Sequence, residues 1–209
     1  MRARFITLEG LEGSGKSSVI SFLKRYLEEK GFKVAMFREP GSTKIGEKIR
    51  KILLDKKNKR LAPYTELLLY LAARTQLIEE KLIRAFKDYD FVICDRFFDS
   101  TLVYQGYALG LKRTAEEAVK IFSLGIVPDL TIILDVDVKR SLKRLKSKDR
   151  IEARPLKFHY LLKIGYRRLW RKYPKRIHLV SSENDLRDVF KDVKKIIDNF
   201  LCKDKRKRL

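Results

Sequence analysis

Short apolar runs along the chain alternate with longer stretches in which apolar residues recur every three or four positions. The short runs predict buried strands, and the longer stretches predict helices with one apolar face. Strands are predicted in this way over residues 5–9, 33–37, 91–94, 130–135 and 176–180. Because a helical stretch separates each strand from the next, the pattern predicts an α/β fold whose parallel sheet is covered by helices on both faces.

The helical stretches differ in how much of their surface is apolar. The stretch from Pro63 to about Phe86 is apolar nearly all the way round, so we expect a long and largely buried helix there. Other helices are predicted over residues 16–30, 45–53, 115–124, 156–173 and 186–201, and one more begins near Val138 and runs into a basic segment. The chain therefore reads as one domain over residues 1–202, followed by a basic tail at 203–209 that is expected to be disordered.

The loop between the first strand and the first helix carries the most specific chemical signal. Its glycines let several backbone N–H groups converge on one anion, and the positive end of the following helix dipole points to the same place. This pattern is a P-loop, in which Lys16 is expected to reach the β- and γ-phosphates of ATP and the Ser17 hydroxyl to ligate Mg²⁺. The predicted ATP-binding residues are Gly10, Leu11, Glu12, Gly13, Ser14, Gly15, Lys16, Ser17 and Ser18.

Asp95 and Arg96 directly follow the third predicted strand. A hydrolysing ATPase commonly needs a further group here that orients water, often a second acid. We expect Asp95 to hold the Mg²⁺ shell, and Arg96 to offer a two-pronged grip on a second phosphate. A site that grips a second phosphate beside ATP favours a phosphotransferase over a motor protein.

The net charge of +22 is concentrated in a few segments. Residues 139–176 contain sixteen Lys or Arg against Asp149 and Glu152, which accounts for +14 of the +22. This charge suits either nucleic-acid binding or the handling of phosphorylated small molecules beside a solvated basic surface. Because no zinc-ligand spacing, RNP-like motif or helix-turn-helix signature accompanies it, nucleic acid is not expected to be the main substrate.

The remaining composition indicates where the protein works. Cys94 and Cys202 are too few for a disulfide framework, which favours a reduced cytoplasm. The sequence has no apolar run long enough for a membrane span, and its first strand begins too early to leave room for a signal peptide. Charged residues make up 36% of the chain while Asn and Gln are scarce, a combination typical of proteins from thermophiles.

Several motifs occur together in one order along the chain. They are the P-loop itself, Arg38-Glu39-Pro40-Gly41, Tyr70-x-x-x-Arg74, Asp95-Arg96-x-x-x-Ser100-x-x-x-Tyr104-Gln105-Gly106, Pro128-Asp129-Leu130-Thr131 and Asp149-Arg150-Ile151-Glu152. The chain that carries these motifs resembles the thymidylate kinase family over residues 5–173. That family phosphorylates dTMP with ATP and Mg²⁺, giving dTDP and ADP. The resemblance implies the P-loop nucleoside-monophosphate-kinase fold, with a five-stranded parallel sheet of order 2-3-1-4-5, flanking helices and a mobile lid. It also implies a homodimer packed through its long helices.

The same resemblance implies a role for each dTMP-binding residue. Arg96 would hold the dTMP phosphate, with Arg38 supporting that side of the site. Tyr70, where the family usually has Phe, would stack on thymine, while Arg74 one turn later would hydrogen-bond a base carbonyl. The thymidine pocket would be lined by Ser100, Thr101, Tyr104 and Gln105, with Tyr104 near the sugar.

The resemblance also implies that lid cations stabilise the transferring phosphoryl group, because the P-loop interior carries none. The lid, at about residues 143–154, is rich in basic residues, and we expect Arg144 and Arg150 to act there. Glu12 would place a sugar hydroxyl or a metal-bound water. The predicted catalytic set is Lys16, Arg96, Arg144, Arg150 and Glu12, and its cofactors are ATP and Mg²⁺.

Two other functions remain open on the sequence. One is a kinase for a different nucleoside monophosphate, which the Tyr70 and Arg74 pair disfavours. The other is a basic nucleic-acid-binding protein that contains a P-loop. His159 and His178 are expected at a helix surface and a strand end, because the dTMP phosphate is already anionic at neutral pH and needs no histidine base.

Overall fold

A parallel sheet forms the centre of the computed structural model, which describes residues 2–145 and 147–205. Its strands lie in the order β2-β3-β1-β4-β5, which confirms the predicted order. The strands are β1 Arg4–Gly10, β2 Val34–Arg38, β3 Phe91–Asp95, β4 Leu130–Asp135 and β5 Ile177–Ser181. All four pairings are parallel, so the carboxyl ends of β1, β3 and β4 meet at one edge, where the P-loop leaves β1.

Helices cover both faces of the sheet. They are α1 Lys16–Glu29, α2 Lys44–Leu54, α3 Pro63–Leu77, α4 Ile83–Asp88, α5 Phe98–Thr101, α6 Lys112–Phe122, α7 Val138–Lys143, α8 Leu156–Lys172 and α9 Leu186–Lys205. Helices α1 and α9 pack on the face formed by alternate strand residues such as Ile6, Leu8 and Ile93. The opposite face packs against the helices between β2 and β3 and those that follow β3, through residues such as Phe5 and Val92. This alternation is the period of two that a strand imposes on its side chains.

The structure contains two π-helical segments that the sequence pattern does not predict. One lies within the long helix predicted from Pro63, and the other lies where no helix is predicted. Ile78–Leu82 joins α3 to α4, so the long helix is continuous but locally widened. Leu102–Ala108 continues α5 through the polar and aromatic segment after Arg96. Hydrophobic periodicity does not signal such segments, which are often found at functional sites.

The basic segment and the tail differ from the sequence prediction. Helix α7 ends at Lys143, and residues 147–155 form turns instead of the predicted helical continuation. Within the predicted lid, Lys146 lies outside the described residues. Helix α9 continues to Lys205, three residues into the predicted tail, whereas residues 206–209 lie outside the described residues.

Helix α3 is less buried than its composition predicts. Tyr64 and Leu68 lie one turn apart with 58% and 60% of their surfaces exposed, while Leu67 and Leu71 pack against α6. One face of α3 is therefore apolar and open. Among the described residues, none of the helices combines the length and apolarity needed to cross a membrane.

Candidate active site

The P-loop is shaped by glycines whose neighbours leave no space for a side chain. Gly10 has φ +133°, and a Cβ atom there would lie 2.5 Å from the Leu134 carbonyl oxygen. Gly13 has φ +72°, and a Cβ atom there would lie 2.2 Å from the Ser141 carbonyl oxygen. Since both the backbone conformation and the close approach require glycine, β4 and α7 fix the loop from behind. The loop then opens directly into α1, whose N-terminus faces the site.

Lys16 reaches back over the loop that it follows. Its ammonium donates to the carbonyl oxygens of Leu11 at 2.8 Å and Gly10 at 3.3 Å. Burial, with the nearby Arg96 charge, lowers the pKa of Lys16 to about 8. The negative charge of a polyphosphate would stabilise the protonated form of this buried ammonium, so the geometry suits phosphate binding.

A cavity of about 470 Å³ extends from the P-loop across the carboxyl edge of the sheet. One end carries the phosphate-binding residues, and the other carries aromatic and hydrogen-bonding side chains. Its lining includes Glu12, Gly13, Gly15, Lys16, Ser17, Ser18, Tyr70, Arg74, Asp95, Arg96, Ser100, Thr101, Tyr104, Gln105 and Arg144. The fold therefore brings together most of the site residues that the sequence predicts.

Arg96 lies at the centre of this cavity. Its backbone has φ +69°, in the left-handed region, which turns the side chain from the end of β3 back toward the P-loop. The guanidinium donates to Glu12 Oε1 at 2.9 Å, Ser100 Oγ at 3.0 Å and the Tyr166 hydroxyl at 2.9 Å. Such a constrained, multiply bonded arginine is preorganised to grip an oxyanion with two parallel donors.

Glu12 lies between the two ends of the cavity. It accepts a hydrogen bond from the Tyr104 hydroxyl at 2.7 Å, while Oε2 is buried with no hydrogen-bond partner among the described residues. Burial opposes its ionisation, but the charges of Arg96 and Lys16 outweigh burial and lower the pKa of Glu12. The orphaned oxygen is thus an anionic acceptor that a sugar hydroxyl or a water can satisfy.

Glu9 helps to fix the position of Arg96 by binding the same Ser100 and Tyr166 side chains, a role that the sequence analysis missed. The carboxylate is fully buried and accepts hydrogen bonds from Ser100 Oγ at 2.6 Å, the Tyr166 hydroxyl at 3.0 Å and the Phe97 backbone N–H at 2.9 Å. Arg96 Nη1 lies 3.9 Å from Glu9 Oε2. The one available signal was an acidic residue inside an otherwise apolar strand, which needs buried partners.

Raising the pH is expected to destabilise the wild-type protein relative to a Glu9→Gln variant. Burial, followed by the charge of Asp99, raises the pKa of Glu9 to about 7. The folded protein therefore binds more protons than the unfolded chain between the ordinary carboxyl pKa and this value, so the free energy of unfolding falls as the pH rises through that interval. Because glutamine does not titrate, the stability difference between the two proteins should shift by about 2 kcal/mol between pH 5 and pH 8.

Urea unfolding at the two pH values measures this shift. The substitution also alters the hydrogen bonds to Ser100 and Phe97, but it does so at both pH values, so only the change with pH reports the titration. Glu29→Gln removes a carboxylate exposed on α1 and serves as the matched control. A stability difference between wild type and Glu9→Gln that is equal at both pH values would contradict the prediction.

The far end of the cavity is built by α3 and by the π-helical segment after α5. Arg74 is 1% exposed and is held by both oxygens of Glu39 at 2.8 to 3.1 Å and by Thr101 Oγ1 at 2.8 Å. Its Nη1 is buried with no hydrogen-bond partner among the described residues. Tyr70 lines the cavity one turn before Arg74. This end therefore offers a flat ring and a spare, fixed N–H donor, which suit a planar base with a carbonyl group.

Asp95 and Ser17 fit the predicted magnesium site. Asp95 Oδ1 is buried with no hydrogen-bond partner among the described residues, and the exposed Ser17 hydroxyl lines the same cavity beside Lys16. A carboxylate and a hydroxyl beside a phosphate cradle are the oxygen donors that Mg²⁺ takes together with nucleotide phosphates.

The predicted lid cations lie in different places. Arg144 lines the cavity and donates to the Gly13 carbonyl oxygen at 3.2 Å and the Ser182 carbonyl oxygen at 3.3 Å. Arg150 does not line the cavity. It is 8% exposed, with Nη2 2.7 Å from Glu66 Oε2. In this structure the guanidinium of Arg150 is therefore paired with a buried carboxylate and does not face the P-loop.

Two further expectations do not match the geometry. Arg38 lies outside the cavity lining and pairs with Glu47 at 2.7 Å, although it is held beside the site by the loop that contains Ser42. Ser42 has φ +67°, so this loop adopts the conformation that glycine favours. His159 is 1% exposed and not at a helix surface as predicted, since α8 turns it inward beside Phe158.

Some cavity residues were not found by sequence reasoning. Arg50 lines the cavity and donates to the Pro40 carbonyl oxygen at 3.0 Å. Arg50 lies on a strongly basic helix, so in the sequence it could not be distinguished from residues that face solvent. Glu39 and Glu66 hold arginines from behind, and only tertiary packing identifies such partners.

Comparisons with known proteins show which sequences and structures this chain is similar to. The family model described as thymidylate kinase matches residues 8–193. A thymidylate kinase of Thermoanaerobacter sp. (strain X514) is 41% identical over 204 residues, which covers 96% of this chain and 100% of the relative. One from Caldanaerobacter subterraneus subsp. tengcongensis is 40% identical, covering 96% of this chain and 98% of the relative. The crystal structure of thymidylate kinase from Ehrlichia chaffeensis superposes with a TM-score of 0.78 at 29% identity, covering 94% of this chain and 100% of that one.

Proposed function

Since the chain belongs to the thymidylate kinase family, we propose that it transfers the γ-phosphoryl group of ATP to dTMP, giving ADP and dTDP for dTTP synthesis. The observation that carries the proposal is the arrangement of a single cavity. A P-loop lies at one end, Arg96 lies at the centre, and Tyr70 with Arg74 lies at the other end. That order matches a phosphate donor, an acceptor phosphate and a planar base.

The donor side relies on positioning and charge neutralisation. Lys16 and the N-terminus of α1 would hold the ATP phosphates, and the P-loop backbone would surround them. Arg144 already contacts the P-loop at Gly13, so it is the described lid cation best placed to meet charge that develops on the transferring group. A preorganised cation at that point lowers the barrier without reorganisation during the reaction.

The acceptor side relies on Arg96 and on the aromatic end of the cavity. Arg96 would hold the dTMP phosphate, whose oxygen is already anionic and can attack in line with no general base. Tyr70 would stack on thymine, and the spare Nη1 of Arg74 would donate to a base carbonyl. The orphaned oxygen of Glu12 would accept a hydrogen bond from the sugar hydroxyl.

Asp95 and Ser17 would hold Mg²⁺. When bound, the ion would neutralise phosphate charge and orient the β- and γ-phosphates. Lys16 and the bound ion would then neutralise charge on the donor side, which leaves Arg96 for the acceptor.

Turnover with separate acceptors tests the function directly. ADP formation from ATP and Mg²⁺ is measured with dTMP, dUMP, dGMP, dCMP, dAMP and UMP in turn. We expect the highest kcat/KM with dTMP, a lower value with dUMP, and little turnover with the others. Tyr70 and Arg74 would favour a pyrimidine base with a carbonyl group, and the bulk of Tyr104 near the sugar would disfavour the 2′-hydroxyl of UMP. Omitting Mg²⁺ should abolish turnover. Preference for a purine acceptor would reject the base-pocket assignment, and no turnover with any acceptor would reject the kinase function.

We further propose that two copies of this cytoplasmic enzyme pair through α3. The motivation is its open apolar face, on which Tyr64 and Leu68 are 58% and 60% exposed. A face of this kind on packed helices is unusual for a monomer and typical of self-association.

Leu68→Lys is expected to weaken self-association by at least about tenfold, since it places a charge in the centre of the apolar face. Sedimentation velocity over a range of protein concentrations measures the dissociation constant. Leu186→Lys makes the same change at an exposed position of α9, across the sheet from α3, and should have no effect. Equal dissociation constants for wild type and Leu68→Lys would contradict the α3 interface.

A further inference from the structure

Glu66 is a buried carboxylate on α3 that belongs to none of the predicted site residues. It is 0% exposed, and it lies one helical turn before Tyr70 and two turns before Arg74. Its neighbour Leu67 packs into the core between α3 and α6. An acidic side chain in such a place is costly unless it is fully paired, so its partners indicate its purpose.

Three side chains from two other parts of the chain converge on Glu66. Oε2 accepts hydrogen bonds from Arg150 Nη2 at 2.7 Å and Arg154 Nη2 at 2.6 Å, and Oε1 accepts one from Gln105 Nε2 at 2.9 Å. Arg150 also donates through Nε to the Leu53 carbonyl oxygen at 2.6 Å. One carboxylate therefore joins α3 to the end of α2, to the π-helical segment, and to the turns after α7.

The hydrogen bond between Gln105 and Glu66 determines the orientation of the Gln105 side-chain amide. A carboxylate held by two guanidinium groups acts as a hydrogen-bond acceptor, so only the NH₂ group of Gln105 can meet it. The amide oxygen, Oε1, is then the polar atom left for the cavity that Gln105 lines. A hydrogen-bond acceptor on the cavity side suits a base with a ring N–H group, as in thymine or uracil. It does not suit cytosine, whose ring nitrogen at that position is itself an acceptor.

The pairing with the two arginines fixes a wall of the same cavity. Arg150 and Arg154 bracket Ile151 and Glu152, and both of these bracketed residues line the cavity. Asp149 closes the turn by accepting from the backbone N–H groups of Ile151 and Glu152 at 2.8 and 2.9 Å. The segment of residues 149–154 is thus clamped at both ends, and Glu66 is the shared anchor.

We propose that Glu66 is a positioning residue of the acceptor site, which orients the Gln105 amide and clamps the segment of residues 149–154 against the nucleoside end of the cavity. The proposal rests on the proposed dTMP kinase function. It assigns Arg150 and Arg154 to anchoring the segment and leaves Arg144 to the phosphates. Loss of the anchor should weaken acceptor binding and relax base selection, while ATP, which binds at the P-loop end, is unaffected.

The test compares Glu66→Gln with Arg154→Gln in steady-state kinetics with ATP and either dTMP or dCMP. Glu66→Gln should raise KM for dTMP about tenfold, the effect of one hydrogen bond of ordinary strength, and leave KM for ATP within about twofold. Its preference for dTMP over dCMP should also fall about tenfold, because an amide at position 66 accepts either face of Gln105. Arg154→Gln, in which Gln105 keeps its partner, should raise KM for dTMP but keep the base preference.

Two further measurements separate positioning from general destabilisation. The control Glu117→Gln removes a carboxylate that pairs with Arg113 on the exposed face of α6, and it should change none of these constants. Calorimetric titration with dTMP alone gives the dissociation constant independently of turnover. If Glu66→Gln does not fold, the dissociation constant for dTMP is measured on Arg154→Gln instead. In that variant Glu66 is still paired with Arg150, so the buried carboxylate keeps a cationic partner.

The outcomes divide clearly. A lower Tm with an unchanged dTMP dissociation constant in either variant would overturn the positioning role, and so would an equal rise in KM for ATP and dTMP. If wild type turns over dTMP and the variants match it, the positioning role alone fails. If wild type does not turn over dTMP, the proposed function fails and this inference with it.

Discussion

Lys16→Met is expected to lower kcat about 10³-fold while the protein stays folded. The ammonium lies at the P-loop end of the cavity, where it would meet the β- and γ-phosphates. Methionine keeps most of the length of the side chain but removes the charge. The substitution should cost little stability, because burial already opposes the charge and lowers the pKa of Lys16. Steady-state turnover with saturating ATP and dTMP measures kcat, and thermal unfolding checks the fold.

The matched control is Lys24→Met on the same helix. Lys24 is partly exposed and pairs with Glu28 one turn later, away from the P-loop, so its loss should leave kcat within about twofold. A decrease of less than about tenfold in Lys16→Met, with an intact fold, would remove Lys16 from the catalytic set.

The second large effect is expected at Arg96, where lysine should lower kcat/KM for dTMP about 10²-fold. Lysine keeps the positive charge beside Glu9 and Glu12 but cannot make two parallel hydrogen bonds to a phosphate. It also cannot reach Glu12, Ser100 and Tyr166 at once, as the guanidinium does. The acceptor phosphate should therefore be held less tightly and less accurately, while KM for ATP stays within about twofold.

Initial rates with dTMP varied at saturating ATP, and the reverse, measure the two constants separately. Arg84→Lys, at a side chain 86% exposed on α4, makes the same chemical change away from the cavity and serves as the control. Equal increases in KM for ATP and for dTMP would show that Arg96 supports the whole site and does not specifically hold the acceptor.

The sequence predicted much of the fold because the fold depends on local patterns. Apolar runs separated by helical periodicity fix an α/β class, and the strands lie within a residue or two of their predicted bounds. The strand order came from the family resemblance, and the structure confirms it. The P-loop was also readable, since its chemistry requires glycines, lysine and serine at fixed spacing between a strand and a helix.

The site was only partly predictable. Tyr70, Arg74 and Arg96 lie in one cavity as the motifs imply, but Arg38 and Arg150 are paired with carboxylates outside the cavity lining. A basic side chain in a charged segment looks the same in sequence whether it faces phosphate, solvent or a buried acid. The acids Glu9 and Glu66 were equally ambiguous. An acid within an apolar stretch indicates that it has a buried partner, but the sequence does not show which residue that partner is.

The sequence by itself determined the α/β class, the phosphate-binding loop and the family. The class and the loop follow from residues close together in the chain, and the family follows from the order of several such short motifs. The tertiary structure decided which charges pair, which face of α3 stays open, and which way Gln105 points. Those outcomes depend on contacts between residues such as Glu66 and Arg150, eighty-four positions apart, because the stability of a buried charge is set by the partners that the folded chain brings to it.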